Sequence, residues 1–141
     1  MGKLTLAIIK PGAIQGGHRE AIIQQIKAAG FTLLDQEELR LSLEQAESFY
    51  DIHRERPFFS ELTTYMSSGT VVTLSLEKEN AVAAFRELIG ATDPAEAAEG
   101  TIRRRFGSNV GENAIHGSDS DANAEKEVAF FFPPGDIPSD L

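Results

Sequence analysis

Cysteine is absent from the 141 residues, and its absence excludes disulfide bonds, thiolate nucleophiles and cysteine-based zinc sites. Long hydrophobic runs are absent too, since none approaches the roughly 20 apolar residues that a membrane-spanning helix needs. The first ten residues are basic and then apolar, but they are too short for a signal peptide and contain no small-residue cleavage site. We therefore expect a single cytoplasmic domain over residues 1–141, with no membrane partner.

Positive charge is scarce in this sequence. The chain has 13 Lys and Arg residues against 22 Asp and Glu residues, which gives a net charge of −9. Broad binding to nucleic acid needs a positive field, so we expect no specific nucleic-acid partner. An acidic protein can still hold an anionic ligand where its few cations converge. The position of those cations is therefore the informative question.

Short apolar or alternating runs predict four strands, over residues 3–10, 31–41, 70–76 and 128–132. The first run is apolar on both faces, which indicates a central strand covered on both sides. Helical spacing and end signals predict helices over residues 22–29, 42–54, 60–68, 81–89 and 120–126. Asp93 followed by Pro94 predicts the start of a further short helix, with a cap and a proline at its first position. One such signal is the capping-box pair Ser42 and Gln45. This order predicts an α+β, ferredoxin-like (βαββαβ) fold, in which helices cover a four-stranded antiparallel sheet.

About thirty residues between Gly90 and Ser120 show little regular pattern, and a segment of that length in a compact domain is usually functional or mobile. It contains three consecutive arginines, 103–105, and His116 followed by a glycine. Arginine suits bidentate phosphate binding, and histidine can act as a nucleophile or base near neutral pH. On these residues alone the reading stays open, because arginine runs are more often solvated surface and a lone loop histidine is usually inert.

Five segments together resemble one family. Residues 113–119 read Asn-Ala-Ile-His-Gly-Ser-Asp and closely resemble the N-x-x-H-G-S-D signature of nucleoside diphosphate kinases. Ile9-Lys10-Pro11, Arg56-Pro57-Phe58-Phe59, Gly90-Ala91-Thr92-Asp93-Pro94-Ala95 and Gly100-Thr101-Ile102-Arg103 resemble four further family segments, in family order. The match runs from about residue 3 to residue 132. The resemblance implies a kinase that moves a terminal phosphoryl group between nucleotides through a phosphohistidine.

The resemblance also implies a role for each matching residue. His116 would be the nucleophile, Glu127 would hold its second ring nitrogen, Ser118 would steady Glu127, and Tyr50 would lie close to the imidazole. The remaining matches would bind the nucleotide. They comprise the phosphate ligands Lys10, Arg86, Thr92 and Arg103, the ribose ligand Asn113, and Phe58 and Val110 on the two faces of the base, with Leu62 near the same pocket.

The implied partners are nucleoside tri- and diphosphates, and a symmetric homo-oligomer is the expected assembly. Mg²⁺ is the implied cofactor, carried by the nucleotide phosphates and water, so we expect no protein metal ligand. The chain departs from the family at Gly12, where Asp or Asn is usual, and at Arg104 and Arg105, where small or acidic residues are common. His18 and His53 have no second metal-type ligand four residues on, which favours structural or solvated roles.

Several residues have a plainer alternative reading. Phe58 could be ordinary core, since Phe59 beside it must also be placed, and Glu127 could be an exposed charge at a helix end. Two other function classes stay open on the residues alone. A nucleotide-binding or single-strand-binding module would keep Phe58 and the arginines but make His116 dispensable. An assembly protein that uses its sheet edges would need none of these residues.

Overall fold

The computed structural model describes residues 2–109 and 112–133. Its four strands are β1 (Leu4–Ile9), β2 (Thr32–Arg40), β3 (Thr70–Glu77) and β4 (Ile115–Gly117). They form one sheet in the order β2-β3-β1-β4, and every neighbouring pair is antiparallel. The predicted ferredoxin-like sheet is confirmed. β1 lies in the interior of the sheet, and β4 places His116 beside it.

Seven α-helices connect the strands within the described residues. They are α1 (Pro11–Gln15), α2 (Arg19–Ala28), α3 (Leu43–Phe49), α4 (Phe59–Met66), α5 (Ala81–Ile89), α6 (Ile102–Phe106) and α7 (Asp121–Phe131). The Ser42 and Gln45 capping box opens α3 as predicted. That helix ends at Phe49 rather than near residue 54, and a 3₁₀ turn, Asp51–His53, follows it. None of the described helices is long and apolar enough to span a bilayer.

Apolar clusters cover both faces of the sheet, and β1 contributes to each. Ala7 and Ile9 belong to the cluster beneath α2 and α5. Leu6 and Ile8 belong to the cluster beneath α3 and α4. Because successive side chains of a strand point to opposite faces, a strand with both sides covered needs apolar residues on both faces. The prediction of a central, doubly covered first strand is confirmed.

The strand predicted over residues 128–132 is wrong. Residues 128–131 form the end of α7, and the fourth strand is Ile115–Gly117 instead. Val128 and Phe131 are three residues apart, so they share one face of the helix and pack together against the core. Phe130 points elsewhere and is 40% exposed. A short apolar run cannot be assigned to helix or strand by periodicity, and the three-residue β4, which contains a glycine, has too little pattern to be recognised.

Part of the segment between Gly90 and Ser120 is regular, and the short helix predicted to start at Asp93 and Pro94 is observed as a 3₁₀ turn. A 3₁₀ turn, Pro94–Glu96, begins at Asp93, whose side chain accepts a hydrogen bond from the Ala95 N–H. Thr101 caps α6 in a similar way. The three arginines therefore lie on one short helix, and β4 follows it. Local polar caps stabilise this part of the chain in place of a long apolar pattern.

Candidate active site

A cleft of about 720 Å³ opens between α3 and α4 on one side and the ends of β1 and β4 on the other. Ten of the residues singled out from the sequence line it: Lys10, Tyr50, Phe58, Leu62, Arg86, Thr92, Arg103, Asn113, His116 and Glu127. Ser118 lies behind this wall and is fully buried. Val110 lies outside the described residues. Residues far apart in the chain thus converge on one cavity of a size suited to a small ligand.

His116 is held at one ring nitrogen. Its backbone pairs with Ile8 of β1, and its Nε2 lies 2.8 Å from Glu127 Oε1. An ionised carboxylate only accepts hydrogen bonds, so Nε2 carries the proton and donates it to Glu127. Nδ1 remains as the ring nitrogen with a free lone pair. The reading of Glu127 as an exposed helix-end charge does not hold, because its side chain is only 15% exposed.

Ser118 supports the same carboxylate. Its Oγ donates to Glu127 Oε1 at 2.8 Å and accepts the backbone N–H of Leu6 at 3.1 Å. The relay therefore runs from the backbone of β1 through Ser118 and Glu127 to the imidazole. Such a chain of hydrogen bonds orients the ring and fixes its tautomer.

Two aromatic rings flank the imidazole. The Phe49 ring centroid lies 5.3 Å from that of His116 at an interplanar angle of 72°, and the Tyr50 centroid lies 5.9 Å away at 84°. These are edge-to-face contacts, the favoured geometry for aromatic pairs. The Tyr50 hydroxyl is buried and has no hydrogen-bond partner among the described residues. Burial raises the pKa of Tyr50, so the hydroxyl stays neutral and can donate a hydrogen bond to a ligand.

Two cations are buried in the wall of the cleft. Lys10 is 6% exposed and Arg103 is 8% exposed, which is rare for charged residues unless they have partners. Burial, and then the charge of Arg103, lower the pKa of Lys10 to about 7. Burial, and then the charge of Arg86, lower the pKa of Arg103 to about 10. Three basic side chains therefore crowd one region, and an anionic ligand would relieve their repulsion.

Hydrogen bonds fix these cations in place. Lys10 Nζ donates to Asn113 Oδ1 at 2.7 Å. Arg103 donates from Nη1 to Gly90 O at 3.1 Å and from Nη2 to Ile115 O at 3.0 Å. Arg103 Nε is buried without a partner in the described part of the chain. Buried donors normally have an acceptor, so this unpaired N–H and the Tyr50 hydroxyl both favour an anion in the cleft.

The backbone next to Asn113 is strained. Ala114 has a φ of 79°, a left-handed conformation that costs about 1 kcal/mol or more for a residue with a Cβ. Its carbonyl accepts the Lys10 N–H at 2.9 Å, and Asn113 Nδ2 donates to Thr92 O at 2.9 Å. These bonds hold the turn that leads into β4. The strained turn directs Asn113 to the cleft two residues before the buried Ile115.

Phe58 and Phe59 are adjacent in the sequence but have opposite environments. Phe59 is 9% exposed and packs in the core beneath α4, whereas Phe58 is 45% exposed and lines the cleft. Phe58 is therefore not an ordinary core residue. An aromatic face exposed in a cleft can stack on any nucleic-acid base.

The family model for nucleoside diphosphate kinase matches residues 3–137. The chain belongs to the nucleoside diphosphate kinase family. The chain is 53% identical over 133 residues to a nucleoside diphosphate kinase of Methylobacterium radiotolerans, covering 94% of this chain and 95% of the relative. It is 50% identical to that of Salinibacter ruber, covering 94% of each chain.

Solved structures of nucleoside diphosphate kinases share the fold. An Aquifex aeolicus enzyme superposes with a TM-score of 0.93 at 43% identity, covering 96% of this chain and 98% of the other. An Encephalitozoon cuniculi enzyme has a TM-score of 0.90 at 37% identity, covering 94% and 90%. The ferredoxin-like architecture is thus that of the nucleoside diphosphate kinase family.

Two departures from the nucleoside diphosphate kinase pattern lie away from the cleft. Arg104 Nη1 donates to Ala95 O at 3.1 Å. Arg105 donates to the Gln25 side-chain carbonyl, and its guanidinium lies 4.6 Å from the Phe106 ring centroid. Neither residue lines the cleft. They connect α6 to its neighbours and do not add to the cluster of cations around His116.

Sequence reasoning missed several residues of the cleft wall. His53, read from the sequence as structural or solvated, lines the cleft with its ring centroid 5.5 Å from that of Phe58. Further lining residues not singled out for the site are Phe49, Ile52, Glu61, Tyr65, Asn109, Glu112 and Asp119. The sequence offered one local indication that two of these residues lie in the cleft: Phe49 is next to Tyr50, and Asp119 is the last residue of the histidine motif. His18 lies elsewhere, against the Phe106 ring at 4.8 Å, which fits a structural role.

Proposed function

We propose that the protein is a nucleoside diphosphate kinase that works by a ping-pong reaction through a phosphohistidine on His116. The observation that carries the proposal is the Glu127–His116 hydrogen bond at 2.8 Å within a cleft lined by Lys10, Arg86 and Arg103. A nucleophile oriented by a carboxylate, beside converging cations, is suited to phosphoryl transfer.

In the first half-reaction, His116 Nδ1 attacks the γ-phosphorus of a nucleoside triphosphate. The bond from that phosphorus to the β–γ bridging oxygen breaks, and the nucleoside diphosphate leaves with the electron pair. Glu127 accepts a hydrogen bond from Nε2–H and stabilises the positive charge that develops on the ring. In the second half-reaction a β-phosphate oxygen of another nucleoside diphosphate attacks the same phosphorus, and the phosphorus–Nδ1 bond breaks. No proton needs to move between the halves, because Nε2 keeps its own.

Electrostatic stabilisation accounts for the other polar residues. Lys10, Arg86 and Arg103 would offset the charge of the phosphates, while the Tyr50 hydroxyl and Thr92 would donate hydrogen bonds to them. Asn113 would bind the ribose. The fixed hydrogen bonds of Lys10 and Arg103 support this assignment, since preorganised donors need no reorganisation during the reaction. Phe58 would stack on the base, with the predicted Val110 opposite it, and stacking accommodates every base.

Mg²⁺ is the proposed cofactor. The described residues contain no group of three or more His, Asp or Glu side chains that could hold a metal ion. Bound to the β- and γ-phosphates, Mg²⁺ would offset their charge. The residues of this chain would then position the phosphates through Lys10, Arg86 and Arg103, with no metal ligand of their own.

A symmetric homo-oligomer is the proposed assembly. β2 is an edge strand, with most of its nine residues exposed and Leu34 45% exposed. An edge strand presents unpaired N–H and C=O groups that another chain can pair with. Light scattering of the purified protein tests the assembly. The single domain over residues 1–141 and the cytoplasmic location stay predictions.

Turnover tests the proposed function. Purified protein should transfer the γ-phosphate of ATP to a second nucleoside diphosphate, and His116→Asn should abolish the transfer while leaving the fold intact by circular dichroism. His18→Asn is the matched control, because His18 lies outside the cleft. Wild-type transfer by His116→Asn would contradict the proposal.

A further inference from the structure

We propose that Tyr65 is a positioning residue: its hydroxyl, bonded to the backbone of Gly12, fixes the distance between the two walls of the nucleotide cleft. This inference rests on the proposed function, since it concerns the cavity that would hold the nucleotide. It also gives a steric reason for the glycine at position 12, where the family usually carries Asp or Asn.

The two residues belong to opposite walls. Tyr65 lies in the last turn of α4, the helix that begins just after Phe58, and it lines the cleft. Gly12 lies in the first turn of α1, two residues after Lys10. The Gly12 N–H donates to Tyr65 Oη at 2.8 Å, across 53 residues of sequence. The bond therefore connects the wall that carries the stacking phenylalanine to the wall that carries the buried lysine.

No other hydrogen bond between described residues joins these two segments. The nearby bond from Arg40 Nη2 to Ser68 O, at 3.1 Å, joins the end of β2 to the residues after α4 and does not reach α1. α4 otherwise meets the sheet through apolar side chains such as Phe59 and Met66. Apolar packing is non-directional, whereas a hydrogen bond has a narrow range of length and angle. The Tyr65–Gly12 bond is thus the directional constraint on the spacing.

Glycine at position 12 leaves room for the close approach of Tyr65. A Cβ added at this position would lie 2.6 Å from Tyr65 Oη and 3.8 Å from the ring carbon that bears it. Real Cβ atoms essentially never approach within 3.0 Å of another heavy atom, so any side chain here would displace the hydroxyl. The clash involves the hydroxyl oxygen, while the ring itself stays at ordinary contact distance.

The bond also gives the Gly12 N–H an acceptor that α1 itself cannot provide. The first N–H groups of a helix lack an intrahelical acceptor, and Lys10, the N-cap of α1, makes no side-chain capping bond. Tyr65 Oη supplies the acceptor for Gly12. Burial raises the pKa of Tyr65, although the Gly12 N–H opposes that shift. The hydroxyl therefore stays neutral at physiological pH and holds the contact without a charge beside Lys10.

Four proteins test the inference: wild type, Gly12→Ala, Tyr65→Phe and the double variant, each titrated with ADP by calorimetry. Tyr65→Phe should weaken ADP binding about threefold to tenfold, since one directional bond is lost. Gly12→Ala should weaken it by about tenfold or more, because the methyl group forces the walls apart. The double variant should match Tyr65→Phe within about twofold, because without the hydroxyl there is nothing for the methyl group to meet.

Gly16→Ala is the matched control. It places the same methyl group at the other end of α1, where it would meet the His18 ring at 2.9 Å. Adding Tyr65→Phe should not restore any ADP affinity that Gly16→Ala loses. Additive losses in Gly12→Ala/Tyr65→Phe, or equal rescue of Gly16→Ala, would overturn the inference. The inference would also be overturned if ADP affinity were the same in all variants and Tyr65→Phe restored only the unfolding temperature of Gly12→Ala. The contact would then have a merely structural role.

The outcome is separable from that of the proposed function. ADP affinity and hydrogen exchange of the Gly12 amide are measured without turnover. If the wild type binds ADP but transfers no phosphate, and the rescue is still seen, the kinase proposal fails and the spacing role stands. If transfer is normal and the Gly12 amide exchanges equally fast in wild type and Tyr65→Phe, the spacing role fails alone.

Discussion

Replacing Glu127 by Gln removes one negative charge from beside the imidazole and keeps the shape of the side chain. The amide oxygen can still accept from His116 Nε2 and from Ser118 Oγ, both of which lie 2.8 Å from the carboxylate oxygen. The tautomer of His116 should therefore be retained. What is lost is the attraction between the carboxylate and the positive charge that develops on the ring as Nδ1 takes up the phosphoryl group.

The size of the loss follows from the change in hydrogen-bond type. A hydrogen bond to a charged group contributes about 1.5–3 kcal/mol net, against about 0.5–1.5 kcal/mol for a neutral one. The difference, about 1.4 kcal/mol, is about tenfold in rate. Glu127→Ala removes the acceptor as well and leaves the buried Ser118 O–H without an acceptor, so we expect a loss of about 100-fold in total.

Quench-flow measurement of phosphoenzyme formation from labelled ATP isolates this step from product release. Glu125→Gln is the control, since Glu125 lies on the same helix and is exposed. The reasoning would be refuted by Glu127→Gln forming the phosphoenzyme at the wild-type rate. It would equally be refuted if Glu127→Ala and Glu127→Gln were indistinguishable, because orientation would then contribute nothing.

Three further predictions concern the cleft. ADP binding near pH 8 should take up a proton, because the phosphates restore the charged form of Lys10, whose pKa is lowered to about 7 by burial and Arg103. Calorimetry in buffers of different ionisation heat measures this proton uptake, and Lys10→Met should remove it. Without nucleotide, the Lys10 side chain binds its proton more readily in the unfolded chain than in the folded one, so the free energy of unfolding should rise between about pH 7 and 10.5. Denaturant titrations should show a flatter rise in Lys10→Met. Phe58→Ala should raise KM for every nucleotide about tenfold through lost stacking with little loss of stability, whereas Phe59→Ala should destabilise the fold by about 3 kcal/mol, as thermal unfolding would show.

Strong local patterns made much of the fold predictable. β1, β3 and α5 carry runs or stripes rich in apolar residues, so their bounds were predicted closely, and Ser42 with Gln45 marks the start of α3. The failure at residues 128–132 has a physical cause. An apolar run of five residues packs equally well as one face of a helix, and only its contacts with the core beneath α4 decide between the two.

The site was predictable where a motif names its residues and unpredictable where only the fold brings residues together. His116, Ser118 and Glu127 lie within twelve residues, and hydrogen bonds join both His116 and Ser118 to Glu127. The contact between Gly12 and Tyr65 joins residues 53 positions apart. No spacing or composition announces such a contact, so it becomes visible only in the folded chain.

The identity of the phosphorylated atom tests the central claim most directly. The protein should be incubated with labelled ATP, and the modified residue mapped by peptide mass spectrometry and by phosphorus NMR of the intact chain. The account predicts one acid-labile, base-stable phosphate on Nδ1 of His116, removed by added nucleoside diphosphate. Label on Ser118 or any other side chain, or label that persists in His116→Asn, would contradict it.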